Sequence, residues 1–244
     1  MSGATRIAMW SGPRNISTAM MRAWGNRGDT AVWDEPLYAF YLHRTGLAHP
    51  GAAEVIAAGD TDWRRVVAAV AGPVPDGRSI YFQKHMTHHL LDEVDRGWLA
   101  QMHNCFLIRD PREVIASYAR TRPQVTLNDV GVLQQAEIFE RAHASAGAVP
   151  LVLDSRDVLE EPRAILTALC AALDVPFSER MLSWSPGPRG SDGVWARYWY
   201  DAVQASSGFS AYVSKAHTLP PALEPLAAQC EPHYRRLYEQ RLCP

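Results

Sequence analysis

The sequence predicts an α/β protein of three layers, with a central, mainly parallel sheet flanked by helices, and three observations carry that prediction. Short runs rich in β-branched and aromatic residues alternate with amphipathic stretches along most of the 244 residues, the pattern of parallel strands covered on both faces. The strand-like runs stop at turn-forming clusters such as Ser11-Gly12-Pro13 and Asp34-Glu35-Pro36. Hydrophobic side chains make up 47% of the chain and charged ones 20%, enough apolar material to fill one sizeable core, so a single domain over 1-244 is expected.

Arg6 to Trp10 reads as the first strand, and after the turn at Ser11 an Ala/Met-rich helix runs from Thr18 to Trp24, closed by Gly25 and Asn26. Thr30 to Trp33 is a second strand that places Asp34 and Glu35 at its C-terminal edge, because Pro36 stops continuation. Residues 43 to 78 form an excursion with one helix near Asp62 to Val70. Ser79 to Gln83 and Asn104 to Ile108 are short strands, with helical character between them from Leu90 to Met102. Helices follow at Pro111 to Arg120, Val130 to Ala146 and Pro162 to Leu173, and a buried strand at Pro150 to Leu153. From Ser183 to Pro221 the chain is rich in Gly, Pro, Ser and aromatics and reads as loop that must pack on something.

The formal charge of -2 sets up no general attraction to nucleic acid or anionic lipid, so any anion site must be built locally. No stretch has the h-region of a signal peptide or the length of a membrane span, and a cytoplasmic protein without a membrane partner is expected. Cys105, Cys170, Cys230 and Cys243 lack C-x-x-C spacing, so reduced thiols are the default.

The segment from Trp10 to Thr18 leaves a strand and opens a helix, a context in which backbone N–H groups and the helix dipole converge on an anion. Arg14 adds a charge, and Ser17 and Thr18 add hydroxyls, although either could simply cap the helix. The spacing is not that of a Walker A loop, which would set Lys directly before the metal-binding hydroxyl. Arg109 stands at a second strand-to-helix turn with Ser117 about two helical turns on, and Arg189-Gly190-Ser-Asp-Gly193-Val-Trp195 is a glycine-rich loop late in the chain.

Taken in order, these segments resemble the P-loop sulfotransferases. Pro13-Arg14-Asn15-Ile16-Ser17-Thr18 is similar to that family's Pro-Lys-Ser-Gly-Thr-Thr loop, with Arg for Lys and Ile16 for Gly. Arg109 and Ser117 match the Arg and Ser of its 3′-phosphate motif. Arg189, Gly190, Gly193 and Trp195 match its Arg-Lys-Gly-x-x-Gly-x-Trp loop, with Pro188 in place of one cation, and Asp157-Val-Leu-Glu-Glu-Pro162 is similar to its strand-to-helix segment. The resemblance implies 3′-phosphoadenosine-5′-phosphosulfate (PAPS) as donor, adenosine 3′,5′-bisphosphate as product, and no metal. It also implies Arg14, Ser17 and Thr18 at the 5′ end of the donor and Arg109, Ser117 and Arg189 at its 3′-phosphate.

Transfer to a hydroxyl needs a base within hydrogen-bond reach. Glu35 is one candidate, because some members of the family use a Glu soon after the phosphate-loop helix and Asp34 beside it can raise its pKa. His85 is the other, lying near the family's Lys-x-His, with His88 and His89 one turn on. Lys84 is placed to assist the leaving oxygen. Three histidines without a further ligand pair at recognised spacing argue against a metal centre. Trp33, Tyr38, Phe40, Tyr41, Trp184, Trp195, Tyr198, Trp199 and Tyr200 could stack on a small-molecule acceptor or fill the core. Two other functions remain open: an ATP-dependent small-molecule kinase, with Asp34 or Asp154 as magnesium carboxylate, and a noncatalytic nucleotide-binding module.

Overall fold

The computed structural model describes residues 4–120, 124–213 and 218–243. Five strands, β1 (Thr5–Ser11), β2 (Thr30–Asp34), β3 (Ile80–Met86), β4 (His103–Ile108) and β5 (Leu151–Asp154), form one sheet in the order β2-β3-β1-β4-β5. Every pairing is parallel, so the sheet is wholly, not mainly, parallel. Parallel neighbours require crossovers, and helices supply them. They are α1 (Ser17–Gly25) after β1, then α2 (Tyr38–Thr45), α3 (Ala52–Ala58) and α4 (Trp63–Val70) before β3, and α5 (Pro111–Ala119), α6 (Leu127–Val130) and α7 (Val132–Ala146) before β5. After β5 come α8 (Ser155–Glu160), α9 (Pro162–Ala172), α10 (Ala196–Trp199), α11 (Asp201–Gln204) and α12 (Glu224–Tyr238).

The period-two alternation of the strands divides the interior into two cores. Ile7 and Met9, Ile80 and Phe82, Cys105 and Leu107, and Leu153 face one side, where Met20, Met21 and Trp24 of α1 and Ile165, Leu166 and Leu169 of α9 cover them. Ala8 and Trp10, Phe106 and Ile108, and Val152 face the other, under Val66 and Val70 of α4, Ile138, Phe139 and Ala142 of α7, and Leu237 of α12.

Local chemistry sets the helix starts. Asp110 accepts from Arg112 N at 2.8 Å and is followed by Pro111, a cap and first-turn proline together. Gly131, at φ 75°, separates α6 from α7, where one continuous helix over 130–146 is expected from sequence. The helical character expected from Leu90 to Met102 is absent apart from a 3₁₀ segment, Gly97–Gln101. Arg96 explains this: its guanidinium donates to the carbonyls of Leu90, Leu91 and Val94, drawing the chain into a compact loop. The late segment is loop with α10 and α11 inserted. The described residues contain no helix long and apolar enough to cross a membrane.

Asp154 ends β5 and caps α8 by accepting from Arg156 N at 2.7 Å, while Tyr234 of α12 donates to its other oxygen at 2.9 Å. Burial pushes its carboxyl up to about 6. The folded chain therefore keeps a proton there that an unfolded Asp loses near roughly 3.9. This contribution is present below that value and lost as pH rises through about 6, amounting to about 3 kcal/mol. We expect Asp154→Asn, which can still cap the helix, to flatten the fall in unfolding free energy across that interval in denaturant titrations at stepped pH.

Candidate active site

The turn after β1 is clamped before it reaches α1. Asn15 Nδ2 donates to Leu107 O of β4 at 3.0 Å and its Oδ1 accepts from Ile16 N at 2.8 Å, while Gln135 of α7 donates to Leu107 O and Trp10 O. Arg14 sits within this clamp at φ 56°, a backbone conformation that non-glycine residues hold only when their surroundings enforce it. Ile16 occupies the N-cap position of α1 with no side-chain cap, and packs against the core instead of the cavity. Ser17 and Thr18 are therefore not caps. They line a cavity together with Pro13, Arg14 and Asn15, and the first α1 amide to find an intrahelical carbonyl is Met20 N, on Ile16 O at 3.0 Å.

Arg109, at the end of β4, reaches this turn: its Nη1 donates to Arg14 O at 2.7 Å, and Glu113 one turn into α5 takes its Nε at 2.8 Å. Arg14 Nε donates to Ser117 Oγ at 3.0 Å. The structure thus brings Arg14, Arg109 and Ser117 together, and Arg109 pairs with Glu113, not with the adjacent Asp110 that a simple helix-start pair would use.

Lys84 of β3 lies on the same cavity, 2% exposed. Its ammonium donates to Asp34 Oδ1 at 2.9 Å, to Glu35 Oε1, and to Tyr200 Oη at 2.6 Å, which accounts for all three of its protons. Tyr200 in turn donates to Asp34, with oxygens at 2.9 and 2.7 Å. Burial opposes the ammonium charge, but Asp34 and Glu35 outweigh it and hold the Lys84 pKa well above its ordinary value. Burial raises the Glu35 carboxyl, against the pull of Lys84 and with added repulsion from Asp34. Glu35 is the second strained residue of the cavity, at φ 44°.

His85 belongs elsewhere. On a strand that continues to Met86, Lys84 shares the face of Phe82, and His85 shares the opposite face with Gln83. His85 stacks on Trp10 with ring centroids 4.5 Å apart, touches Trp98, and contacts Gln83 Oε1 at 3.2 Å. Burial drives its pKa down to about 3, and it does not line the cavity that holds Glu35 and Lys84, so His85 is not placed to act as the base. His89, beyond the strand, lines the cavity instead, with Nδ1 3.8 Å from Glu35 Oε2.

The late loop docks on the site through Gly193 and Trp195 of the glycine-rich motif, while its Arg189 and Gly190 lie away from the cavity. Arg189 donates to Ser185 O at 3.0 Å and does not line the cavity, and a side chain added at Gly190 would meet nothing within 4 Å. Their assignment to the donor's 3′-phosphate is therefore not matched by this arrangement. Asp192 holds the loop instead, paired with the buried Arg22 of α1 at 2.7 Å and accepting from Arg189 N. Gly193 N donates to Asp34 Oδ2 at 3.2 Å, in a place where a Cβ would collide with the Trp195 ring, and Trp195 Nε1 donates to Tyr200 Oη at 3.2 Å. Asp192 has no role in the sequence reading, and the parts that Asp34 and Tyr200 play in holding Lys84 and the late loop are not read there, since they act through contacts far along the chain.

Comparison with known proteins gives the family. Residues 5–234 match the family described as "Sulfotransferase domain", and the chain belongs to that family. Two curated Arabidopsis thaliana relatives are "Branched-chain-amino-acid aminotransferase-like protein 2", 32% identical over 95% of this chain, and its counterpart "protein 1", 33% identical over 88%. The chain spans 41% and 38% of their lengths. The same fold occurs in the sulfotransferase from Alicyclobacillus acidocaldarius (TM-score 0.58, 12% identity, 99% and 98% of the two chains). It occurs also in the sulfotransferase domain from the curacin biosynthetic pathway (TM-score 0.54, 14% identity, 99% of each chain).

Both partners of the Arg22–Asp192 pair are buried, so removing one strands the other. Asp192→Ala should lower the unfolding free energy by about 3 kcal/mol. Arg22→Met combined with Asp192→Leu should recover most of it in the same denaturant titration.

Proposed function

We propose that this protein transfers a sulfuryl group from PAPS to the hydroxyl of a small-molecule acceptor. The observation that carries this reading is the order of groups along the C-terminal edge of the sheet. Glu35 follows β2, Lys84 lies in β3, the Arg14–Thr18 turn follows β1, and Arg109 follows β4. In a parallel sheet ligands lie outside this edge where the chain winds to both sides. Cations and hydroxyls gather at β1 and β4, and a carboxylate stands at β2 and β3, so donor and acceptor have separate places. The residues present suit the donor: Arg14, Ser17, Thr18 and the uncapped start of α1 suit its 5′ end, and Arg109 and Ser117, which do not line that cavity but are bonded to Arg14 beside it, supply a cation and a hydroxyl for its 3′-phosphate.

When bound, the donor supplies an activated sulfuryl group, less charged than a terminal phosphoryl group. Glu35 takes the proton of the acceptor hydroxyl, and its raised pKa suits a base working nearer neutrality than an ordinary carboxylate. Before reaction Lys84 keeps that carboxylate charged. Once Glu35 is protonated its hold on Lys84 weakens, and one N–H is released toward negative charge developing beside it.

Calorimetric titration with adenosine 3′,5′-bisphosphate should show binding that needs no added metal and weakens roughly tenfold to a hundredfold in Arg109→Ala, where charge-assisted hydrogen bonds are lost. Preference for magnesium ATP would contradict the reading. Glu35→Gln should keep bisphosphate affinity and lose roughly 10²–10⁴ in kcat. The wild-type rate should fall as pH drops through the raised Glu35 pKa, and that acidic limb should vanish in the variant.

A further inference from the structure

On the phosphate side of the site, the residue that orients Arg109 is itself held from far along the chain. Glu113 stands one turn into α5 with its side chain 11% exposed. Its Oε2 accepts from Arg109 Nε at 2.8 Å and lies 2.7 Å from Nη2. A carboxylate oxygen set against two nitrogens fixes the plane of the guanidinium, and the bond from Nη1 to Arg14 O at 2.7 Å fixes its remaining rotation. The other oxygen of Glu113 is engaged by Tyr212, whose hydroxyl donates to Oε1 at 2.7 Å across 99 positions of chain. Tyr212 is half-buried, and its ring is covered by the guanidinium of Arg156 from α8 at 5.2 Å. Arg156 follows the end of β5 and its N–H donates to Asp154, so the ring is referred back to the sheet.

This hydroxyl matters because Glu113 is a rival as well as a support. A carboxylate next to Arg109 competes with any phosphate for the same cation, most strongly if it takes the guanidinium with both oxygens. By holding Oε1, Tyr212 leaves Arg109 a single oxygen of Glu113. Arginine carries five N–H groups. The contacts with Glu113 and Arg14 O draw on one N–H from each of the three nitrogens, so Nη1 and Nη2 each keep a second, in a plane that the protein has already set. Pre-set donors bind an anion without the cost of ordering a long side chain at that moment.

Resting on the sulfuryl-transfer reading, in which Arg109 meets the donor's 3′-phosphate, we infer that Tyr212 is a positioning residue for donor recognition: it restrains Glu113 and so keeps Arg109 turned to that phosphate. The late segment thus serves the 3′-phosphate through Tyr212, whereas Arg189, expected there, bonds to Ser185 O and lies away from the cavity. Tyr212 acts through Glu113 and need not touch the donor.

The test is calorimetric and needs no acceptor. The full chain is titrated with adenosine 3′,5′-bisphosphate and with adenosine 5′-monophosphate, which lacks the 3′-phosphate, so the ratio of the two Kd values reports recognition of that group alone. Tyr212→Phe should weaken the bisphosphate roughly threefold to thirtyfold, within the range of couplings between contacting residues, and leave the monophosphate unchanged. The substitution should have no further effect in an Arg109→Ala or a Glu113→Ala background, because the residue it acts through is gone. A wild-type ratio in Tyr212→Phe, an equal loss for both nucleotides, or an undiminished effect in the Arg109→Ala background overturns the positioning role. A wild-type protein that binds neither nucleotide, or does not prefer the bisphosphate, is the separate result that removes the underlying reading.

Discussion

An ammonium group taken out of water stays charged only if its surroundings replace every hydrogen bond it gave up. Lys84 meets that condition with three oxygens from three parts of the chain: Asp34 at the end of β2, Glu35 just after it, and Tyr200 close to the start of α11. Two carboxylates share one cation, and the Glu35 pKa rises because burial, with repulsion from Asp34, outweighs the pull of Lys84. The same arrangement fixes the late loop, because Asp34 also accepts from Gly193 N and Tyr200 also accepts from Trp195. Chemistry and loop closure thus draw on one buried cluster.

The sheet makes this cluster possible. Parallel strands bring their C-terminal ends to one edge, and the order β2-β3-β1-β4-β5 sets the carboxylate, the lysine, the phosphate turn and Arg109 side by side along it. Two strained residues, Arg14 and Glu35, stand at that edge with positive φ. Asn15 and Gln135 hold the first against β4, and the bond of Glu35 N to Lys84 O at 2.9 Å holds the second to β3. Strain held at an edge that a rigid sheet over-determines is the expected signature of a site shaped for a ligand.

Much of this was legible in the sequence because it is local. Alternating strand and helix patterns gave the layers, and the turns at Arg14 and Arg109 follow from strand ends, a proline and hydroxyls at a helix start. The failures were of two kinds. His85 is read as a site residue from its spacing after a strand that the sequence ends at Gln83, whereas the strand runs on to Met86 and its alternation sends Lys84 and His85 to opposite faces. Asp192 and Tyr200, by contrast, act across 170 and 116 positions, on Arg22 and Lys84, and no local pattern announces such contacts. The compact loop at 90–102 belongs to the second kind, since it depends on where the Arg96 side chain turns.

The central claim is that Lys84 holds Glu35 as a buried carboxylate with a raised pKa. Its most direct test follows the Glu35 carboxyl itself by infrared difference titration, with Glu35→Gln identifying the band and Lys84→Met removing the cation. The account predicts a wild-type titration above the roughly 4.3 of an unperturbed Glu and a further rise in Lys84→Met, where burial and Asp34 act unopposed. A wild-type titration at or below that ordinary value, or no movement on removing Lys84, would contradict it.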